Sequence, residues 1–282
     1  MDVLKLINTG VNNLPTLPTV FSKLSEAIDD PNTNTEKIAK IISSDQSSAF
    51  KILKVANSPF FGFRGRIDTV SQAIFHLGFN EVRNIIFALS IINFFSKDKI
   101  LAKFRPIDFW AHSIGVGIAT RLLGSVCGVT DLEPYFLAGI FHDIGKLLFF
   151  EFAQHDYLKV LDLAEERKIL IKDAEIEVLG IDHADAGKML AERWKMPQNI
   201  QDTIRFHHAG IIDKETNILV ASVHLGDILA RALSLGFPGD NLIPQVNEKI
   251  WDTLKLPEGF IKLIKKDLQN DFGQMLRIML MD

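Results

Sequence analysis

The sequence predicts an all-α protein, and two features of its pattern lead to this prediction. Apolar residues recur at helical spacing along most of the chain, as in residues 19–30, where Val20, Leu24 and Ile28 are each four positions apart. No run alternates between apolar and polar residues over more than a few positions, so we expect no sheet. Capping residues, prolines and glycines then divide the apolar pattern into separate helices.

The first third of the chain is predicted to contain five helices. The Asn and Thr residues at 32–35 and the Ser44-Asp45 pair are suitable caps for the second and third of them. The third helix ends before Pro59, because proline disfavours a helical conformation at the preceding residue, and Gly78 separates the last two. These helices are predicted at residues 19–30, within 31–43, within 44–57, at 70–77 and at 79–95.

A polar break at residues 96–99 separates this part from the rest of the chain. Beyond the break, helices are predicted near residues 107–124, 134–152, 155–167, 173–180, 183–194, 198–206 and 217–233, with a C-terminal pair near 244–254 and 258–281. We therefore divide the chain into an N-terminal helical part at 1–97, a second helical part at 98–235 and a C-terminal helical extension at 236–282.

Composition and charge argue against several classes of protein. Hydrophobic residues make up 47% and charged residues 23% of the chain, as in ordinary globular proteins. A net charge of −4 argues against nucleic acid as a partner, because domains that bind it usually carry a basic surface. The N-terminus does not resemble a secretory signal, the apolar stretch at 84–95 is too short to span a membrane, and Cys127 has no second cysteine to pair with. We expect a cytoplasmic, soluble protein without a membrane partner.

Histidines and aspartates stand within the predicted apolar helices, where a bare charge is costly. The clearest example is the segment AGIFHDIGKLLFFEF, residues 138–152, which contains His142, Asp143 and Lys146. Further candidates for the same site are Asp108 and His112, four residues apart in one predicted helix, and then His183, His207, His208 and Asp227. Imidazole nitrogen and carboxylate oxygen together suit Fe, Mn or Zn. We therefore expect a divalent transition metal here, and two ions if metal is bound.

The pattern alone leaves a second interpretation open. A single histidine on an apolar helix is more often a hydrogen-bonded core residue than a metal ligand, and this explanation is preferred for His224. The polar residues could bond with one another, or hold one structural metal, in a scaffold without turnover. Asp108 could instead stabilise the start of its helix. His207 and His208 could share a site only at a helix end, because neighbours in a helix point about 100° apart.

The order of these residues resembles the H…HD…D pattern of the HD superfamily of metal-dependent phosphohydrolases. Its HD-GYP branch binds two or three metal ions, often iron. That branch also has an acidic residue four before the first histidine, the phrase HDIGK, a further histidine and a histidine pair. The corresponding residues here are Asp108, His112, His142, Asp143, Lys146, His183, His207, His208 and Asp227. The branch continues with Glu and a Gly-Tyr-Pro loop, where this chain has Ala209-Gly210-Ile211. The resemblance therefore does not extend to cyclic di-GMP hydrolysis.

The N-terminal half is similar to the HDOD domain. The similar segments are a Leu-Pro pair at 14–15, the helix cap at Asp45, KILKVANSPFFG at 51–62 and AIFHLGFNEV at 73–82. The resemblance covers roughly residues 10–210, together with the helix that carries Asp227. It implies an HD-domain-like helical bundle with an N-terminal helical subdomain, in a bacterial signal-transduction or regulatory protein.

The resemblance therefore implies a regulatory protein with an HD-type divalent-metal site. The alternative is an active metal-dependent phosphohydrolase that acts on a nucleotide or phosphodiester. The expected metal ligands are His112, His142, Asp143, His183, His207, His208, Asp227 and Asp108. In the enzyme, Asp143 would bridge the metal ions and Lys146 would balance charge on the phosphoryl oxygens, which makes both the expected catalytic residues. The expected partner is a signalling protein or a phosphorylated small molecule.

Overall fold

The computed structural model describes residues 19–95, 103–213, 215 and 217–281. Regular structure in these residues is helical, apart from isolated bridge residues at Phe104 and at Ile212 and Glu215, the last two of which pair with each other. The all-α prediction is therefore confirmed. Within the described ranges, none of the helices is both long and apolar enough to cross a membrane. The Leu-Pro pair at 14–15 and the polar break at 96–99 lie outside the described residues.

The chain forms two compact units. The small unit combines the described residues of Pro15–Lys97 with those of Gln269–Asp282. The large unit consists of the described residues of Asp98–Leu268. The segment predicted as a C-terminal extension, 236–282, is thus shared between the two units. The division of the chain into three domains stays a prediction.

Five helices and the C-terminal residues make up the described part of the small unit. Within the two stretches where caps were predicted, the capping residues are Asn34 and Asp45, whose side chains accept hydrogen bonds from backbone N–H groups of the following first turns. The five helices are α1 (Thr19–Ile28), α2 (Thr35–Ser43), α3 (Gln46–Ala56), α4 (Val70–Leu77) and α5 (Phe79–Phe95). Apolar side chains fill their interior, and Leu24, Ile38 and Ile42 are fully buried.

The large unit contains two long helices that pack against each other, 106–126 and 218–232. Its helices are α6 (Pro106–Val126), α7 (Glu133–Phe141), α8 (Gly145–Phe152), α9 (Gln154–Arg167), α10 (Ile171–Leu179), α11 (His183–Arg193), α12 (Gln198–Phe206), α13 (Ile218–Ala232), α14 (Lys249–Leu254) and α15 (Phe260–Leu276), the last of which continues into the small unit. Helix α6 packs against α7 and α13. Residues of α14 and α15 extend this core, because Ile250, Leu254 and Ile264 pack with apolar residues of α6 and α13.

The continuous helix predicted at 134–152 was wrong, because a turn at residues 142–144 divides it into α7 and α8. In this turn the backbone N–H of Ile144 bonds to the carbonyl of Phe141, three residues back, and Lys146 bonds to Asp143 in the same way. Directly after the turn, Gly145 lies against the backbone of α11, where an added Cβ would be only 1.9 Å from the carbonyl oxygen of His183. Only glycine permits this approach, which depends on tertiary packing that the apolar pattern does not reveal.

The C-terminal helices also differ from the prediction. The helix expected at 244–254 begins only at Lys249, and the one expected at 258–281 is α15 followed by a π-helix, Arg277–Met281. Asn247 explains the late start of α14: its backbone N–H donates to His224 Nε2 and its side-chain oxygen accepts from the N–H of Lys249. Residues 240–245 are not helical, and Arg231 donates to the Asp240 carboxylate and to the carbonyl of Leu242 in this segment.

Candidate metal centre

Five positions of the large unit bring histidines and aspartates into one buried cluster. His112 comes from the middle of α6, and Asp227 from the facing α13. The turn between α7 and α8 supplies His142 and Asp143. His183 begins α11, while His207 and His208 follow the last residue of α12. Of these seven residues, all but the half-buried His208 are buried.

Asp143 lies at the centre of this cluster. Its Oδ1 atom is 2.9 Å from His183 Nε2 and 3.6 Å from His207 Nε2. Its Oδ2 atom is 3.3 Å from His142 Nε2 and 4.0 Å from His112 Nε2. One carboxylate thus faces four imidazoles, two on each oxygen.

Asp227 lies at one side of the cluster, near His112 and His142. Its Oδ1 atom is 3.0 Å from His112 Nε2 and 3.9 Å from His142 Nε2. At the opposite side, the Nε2 atoms of His183 and His208 are 2.9 Å apart.

Three sets of ligand atoms in the cluster are compact enough to hold a metal ion. They are His112 with His142 and Asp227, His142 with Asp143 and His207, and His183 with His207 and His208. Within each set the ligand atoms lie within 4.8 Å of one another.

Three of the histidines are oriented through their Nδ1 atoms. His142 Nδ1 is 2.7 Å from the carbonyl oxygen of Gly139, and His207 Nδ1 is 2.8 Å from that of Ile204. A carbonyl oxygen can only accept, so both Nδ1 atoms carry a proton and the Nε2 atoms face the cluster. His183 Nδ1 is 2.5 Å from Glu175 Oε2 in a similar arrangement. Metal-binding histidines usually show this pattern, with the second nitrogen bonded to a carbonyl or carboxylate.

Several atoms that face the cluster have no hydrogen-bond partner among the described residues. These atoms are Nε2 of His112, His142 and His207, and Oδ1 of Asp143. A polar neighbour can still be close: His112 Nε2 lies 3.0 Å from Asp227 Oδ1, but the two atoms are not aligned for a hydrogen bond. Leaving a buried polar atom unpaired costs about 1–3 kcal/mol. Donors of this type and arrangement fit a divalent transition metal.

The electrostatics of the cluster favour charged carboxylates. Burial alone would raise the pKa of Asp143, but the charges of His142 and Lys146 outweigh this and hold it well below its usual range. Burial acts on Asp227 in the same way, and the guanidinium of Arg231 holds its pKa well below the usual value. Both carboxylates are therefore available as anionic ligands at neutral pH.

The histidines differ from one another in protonation. Burial lowers the pKa of His112, and it lowers the pKa values of His207 and His208 well below the usual range, so these rings are neutral. Burial also acts to lower the pKa of His183, but the carboxylates of Glu175 and Asp143 raise it to about 9. A metal ion would have to displace a proton from His183, which makes binding coupled to proton release.

Two of the predicted site residues take other positions. Lys146 is fully buried, with its Nζ atom 2.5 Å from Asp143 Oδ2, so its ammonium group faces a ligand carboxylate. Its catalytic role stays a prediction. The carboxylate of Asp108 is partly exposed and lies 3.3 Å from Arg105 Nε, and it belongs to none of the three ligand sets. The structure therefore does not bring Asp108 into the cluster.

A pocket of about 310 Å³ reaches the cluster from one side. His208 and Asp227 belong to its wall, together with residues of the 170–172 and 240–245 segments. A small molecule in this pocket could contact the cluster.

The family model of the HDOD domain matches residues 14–210, which is more than half of the chain. The chain belongs to the HDOD family.

Solved structures share the fold of this HDOD protein. An HDOD domain protein of unknown function from Geobacter sulfurreducens is 25% identical, with a TM-score of 0.81 and coverage of 99% of this chain and 98% of the other. A candidate signal transduction protein from Marinobacter aquaeolei VT8 is 21% identical, with a TM-score of 0.72 and coverage of 98% and 65%. A candidate metal-dependent phosphohydrolase from Shewanella amazonensis SB2B is 18% identical, with a TM-score of 0.69 and coverage of 98% and 97%. The predicted HD-domain-like bundle is confirmed.

The curated relatives are longer than this HDOD chain. The chain spans 38% of the length of one that is 25% identical over 199 residues, and 17% of another that is 31% identical over 70 residues.

Sequence analysis missed three residues that support the cluster of this HDOD protein. Glu175 is buried and accepts hydrogen bonds from both the N–H and Nδ1 of His183. Arg231 donates from Nε to Asp227 at 2.9 Å and from Nη1 to Asp240 at 3.0 Å. Two signals were available: Glu175 lies four residues from the apolar Ile171 and Leu179 on either side, and Arg231 follows Asp227 by four.

His224 has the structural role that was preferred for it. Its Nδ1 atom is 2.8 Å from the carbonyl oxygen of His207, and its Nε2 atom accepts the N–H of Asn247 at 3.1 Å. Both nitrogens are thus occupied, and His224 fixes the backbone that carries the histidine pair.

Proposed function

We propose that this HDOD protein is a bacterial signal-transduction protein that binds divalent transition-metal ions in the histidine–aspartate cluster. The observation that carries this proposal is the convergence of two buried atoms without a hydrogen-bond partner among the described residues, Nε2 of His142 and Nε2 of His207, on the Asp143 carboxylate. A bound cation would pair with both nitrogens. Without one, each atom would remain buried at a cost of about 1–3 kcal/mol.

The ligand sets support two ions, of Fe, Mn or Zn. His112, His142 and Asp227 form one set at the α6–α13 side of the cluster, and His183, His207 and His208 form another at the opposite side. The Asp143 carboxylate lies between them and has one oxygen towards each. This position suits the bridging role predicted from the sequence. Asp108, which is paired with Arg105, is not included.

A metal-free scaffold is the competing interpretation. In such a module the buried polar atoms would be expected to bond with one another. His183 does so with Glu175 and Asp143, but the Nε2 atoms of His142 and His207 have no hydrogen-bond partner among the described residues. This difference favours a metal centre. A signalling role is also consistent with the description of the Marinobacter aquaeolei structure as a candidate signal transduction protein.

A second candidate function is phosphohydrolysis of a nucleotide or phosphodiester. The observation that favours it is the pocket whose wall includes the ligand candidates His208 and Asp227, since a substrate there could reach the centre. A divalent ion bound in the centre would supply Lewis acidity that lowers the pKa of water to about 7. Among the residues of the chain, Lys146 would hold the Asp143 carboxylate in place.

The remaining expectations about the cellular role belong to the same proposal. We place the protein in the cytoplasm, with a signalling protein or a phosphorylated small molecule as its partner, and with neither nucleic acid nor membrane. The acidic net charge and the single cysteine support this placement.

Elemental analysis of the purified protein tests the metal centre. We expect stoichiometric Fe, Mn or Zn in the wild-type protein and its loss in His142→Ala and Asp143→Ala. His155→Ala is the matched control, because His155 is exposed, and it should retain the metal. A wild-type protein that holds no transition metal, even after reconstitution, would refute the proposal.

Assays on the metal-loaded protein separate the two candidate functions. Hydrolysis of a nucleotide or phosphodiester panel that is lost in Asp143→Ala but kept in His155→Ala would support the enzyme. Metal binding without hydrolysis in the presence of Mn or Fe(II) would leave the signalling function alone.

A further inference from the structure

A second pocket, of about 480 Å³, is separate from the histidine–aspartate cluster, since none of the seven cluster residues lines it. It lies between the last two turns of α9, with Lys168 directly after them, and residues 237–242. Lys103 completes its wall. Sites for small molecules usually have volumes of roughly 300–1,000 Å³, so this pocket is large enough for one.

Much of the wall of this second pocket is apolar. Leu161 and Ala164 of α9 are buried, and Phe237 and Leu242 on the facing segment are half-buried. An apolar group that lay against these side chains would be removed from water, which favours binding.

The charged residues of the second pocket are not balanced locally. Lys103 Nζ lies 2.6 Å from Asp162 Oδ1 and 2.7 Å from Glu165 Oε2, so one ammonium group serves two carboxylates and one negative charge is in excess. Lys168 follows Glu165 by three residues, and its ammonium group has neither a hydrogen-bond nor an ion-pair partner among the described residues. An excess carboxylate and an unpaired ammonium group thus stand together at the end of α9.

Opposite charges side by side, next to an apolar surface, are complementary to a zwitterion that carries an apolar group. We propose that the second pocket binds a free α-amino acid with a large apolar side chain. The ammonium group of this ligand faces Glu165, and its carboxylate faces Lys168. Its side chain lies against the apolar wall.

Asp240 connects the second pocket to the candidate metal centre, because it belongs to the pocket wall and is buried. Its Oδ1 atom accepts from Arg231 Nη1 at 3.0 Å, and Arg231 Nε donates to Asp227 at 2.9 Å. Its Oδ2 atom accepts the N–H of Ile171, the first residue of α10, at 3.0 Å. A ligand that orders residues 237–242 therefore also holds Asp227 in place and strengthens metal binding. This effect rests on the proposed metal centre, whereas binding in the pocket does not.

Isothermal titration calorimetry with four small molecules tests the ligand class. L-Phenylalanine has all three features, phenethylamine lacks the carboxylate, hydrocinnamate lacks the ammonium group and L-alanine lacks the apolar group. We expect L-phenylalanine to bind most tightly. Loss of either charge should weaken binding about threefold, as for an ion pair near the protein surface.

Two variants assign the charges of the ligand to the wall. Lys168→Met should weaken L-phenylalanine about threefold but leave phenethylamine unchanged, because phenethylamine has no carboxylate. Glu165→Gln should weaken L-phenylalanine but leave hydrocinnamate unchanged. Lys195→Met is the matched control, since Lys195 is also an exposed lysine just beyond a helix, with a φ of 52° against 53° for Lys168, and it does not line the pocket. It should bind all four molecules as the wild type does.

Competition with a chelator of known Kd measures the link to the metal centre. Saturating L-phenylalanine should raise the metal affinity of the wild-type protein about fivefold, and metal should tighten L-phenylalanine by the same factor. Asp240→Asn should remove this increase. In metal-free protein, L-phenylalanine should slow hydrogen exchange of the Ile171 N–H, which is bonded to Asp240.

The proposal is overturned if L-phenylalanine does not bind at millimolar concentration, if Lys168→Met binds it as tightly as the wild type, or if it changes neither metal affinity nor exchange at Ile171. A wild-type protein that takes up no metal would refute the proposed function. In that sample, titration of the metal-free protein and exchange at Ile171 would still decide the second pocket.

Discussion

The two units of this HDOD protein differ in what fills their interiors. In the small unit, α1–α5 close on apolar side chains such as Leu24, and the buried Lys51 donates to the carbonyl of Met279. In the large unit, helices converge on histidines and aspartates, several of which are unpaired. An apolar interior is stable by itself, whereas buried unpaired polar atoms are costly until a ligand pairs with them. The stability of the large unit should therefore depend on metal, and that of the small unit should not.

Removal of the metal is expected to have the largest effect on stability, and to act on the large unit alone. A ligand that binds only the folded state, at a free concentration a thousandfold above its Kd, contributes about 4 kcal/mol of stability. Chelator treatment should therefore increase hydrogen exchange in α7, α8 and α12, measured by mass spectrometry. Exchange in α2 and α3 should stay the same. Equal changes in both units would contradict the comparison.

Truncation of a buried apolar side chain in the small unit should destabilise that unit and leave the metal centre of the large unit unchanged. Leu24 is fully buried in the small unit, so Leu24→Ala should lower the free energy of unfolding by about 3 kcal/mol through lost burial and a cavity. Hydrogen exchange should increase in α1–α5, and elemental analysis should find the metal content unchanged. Loss of metal in this variant would show that the units are not independent.

A smaller effect is expected from a substitution of Glu175, which orients the ligand candidate His183. Glu175→Gln should weaken metal binding about 10–100-fold, because the amide orients His183 less strongly than the carboxylate does. Metal affinity can be measured by competition with a chelator of known Kd. Glu177→Gln on the same helix is the control, since Glu177 is exposed and paired with Arg167. Equal metal affinities for the two variants would show that Glu175 does not position the ligand.

The smallest effect is expected at the surface of the small unit. Phe75 is 82% exposed, so Phe75→Ser should change the free energy of unfolding by less than about 0.5 kcal/mol. Denaturant unfolding of this variant beside Leu24→Ala compares an exposed with a buried side chain in one unit. A large loss of stability in Phe75→Ser would mean that its ring is covered in solution.

Local signals in the sequence were enough for much of the fold. Helices α4, α5 and α12 begin and end where capping residues, Gly78 and the apolar spacing placed them. The turn at 142–144 was not predictable in this way, because its cause is the contact of Gly145 with the backbone of His183. In a continuous helix His142 and Asp143 would point about 100° apart. The turn brings both side chains to one cluster.

The candidate site was also predictable only in part, because contacts that depend on the tertiary fold are not visible in the sequence. Motif order led to seven residues that the structure brings together, and the helix-end condition for His207 and His208 is met, since both follow α12. Asp108 was included because it lies four residues before His112, yet its carboxylate is near Arg105. Glu175, Arg231 and Asp240 were missed because they contact ligands or one another instead of matching the motif.

The small unit is discontinuous in sequence, and this has a consequence for synthesis on the ribosome. Its helices α1–α5 precede the large unit in the chain, but the buried Met275 and Met279, and the Met279 carbonyl that accepts a hydrogen bond from Lys51, follow it. The intervening residues of the large unit emerge before the small unit has all its parts. The N-terminal helices therefore wait, incompletely packed, until translation has passed residue 279.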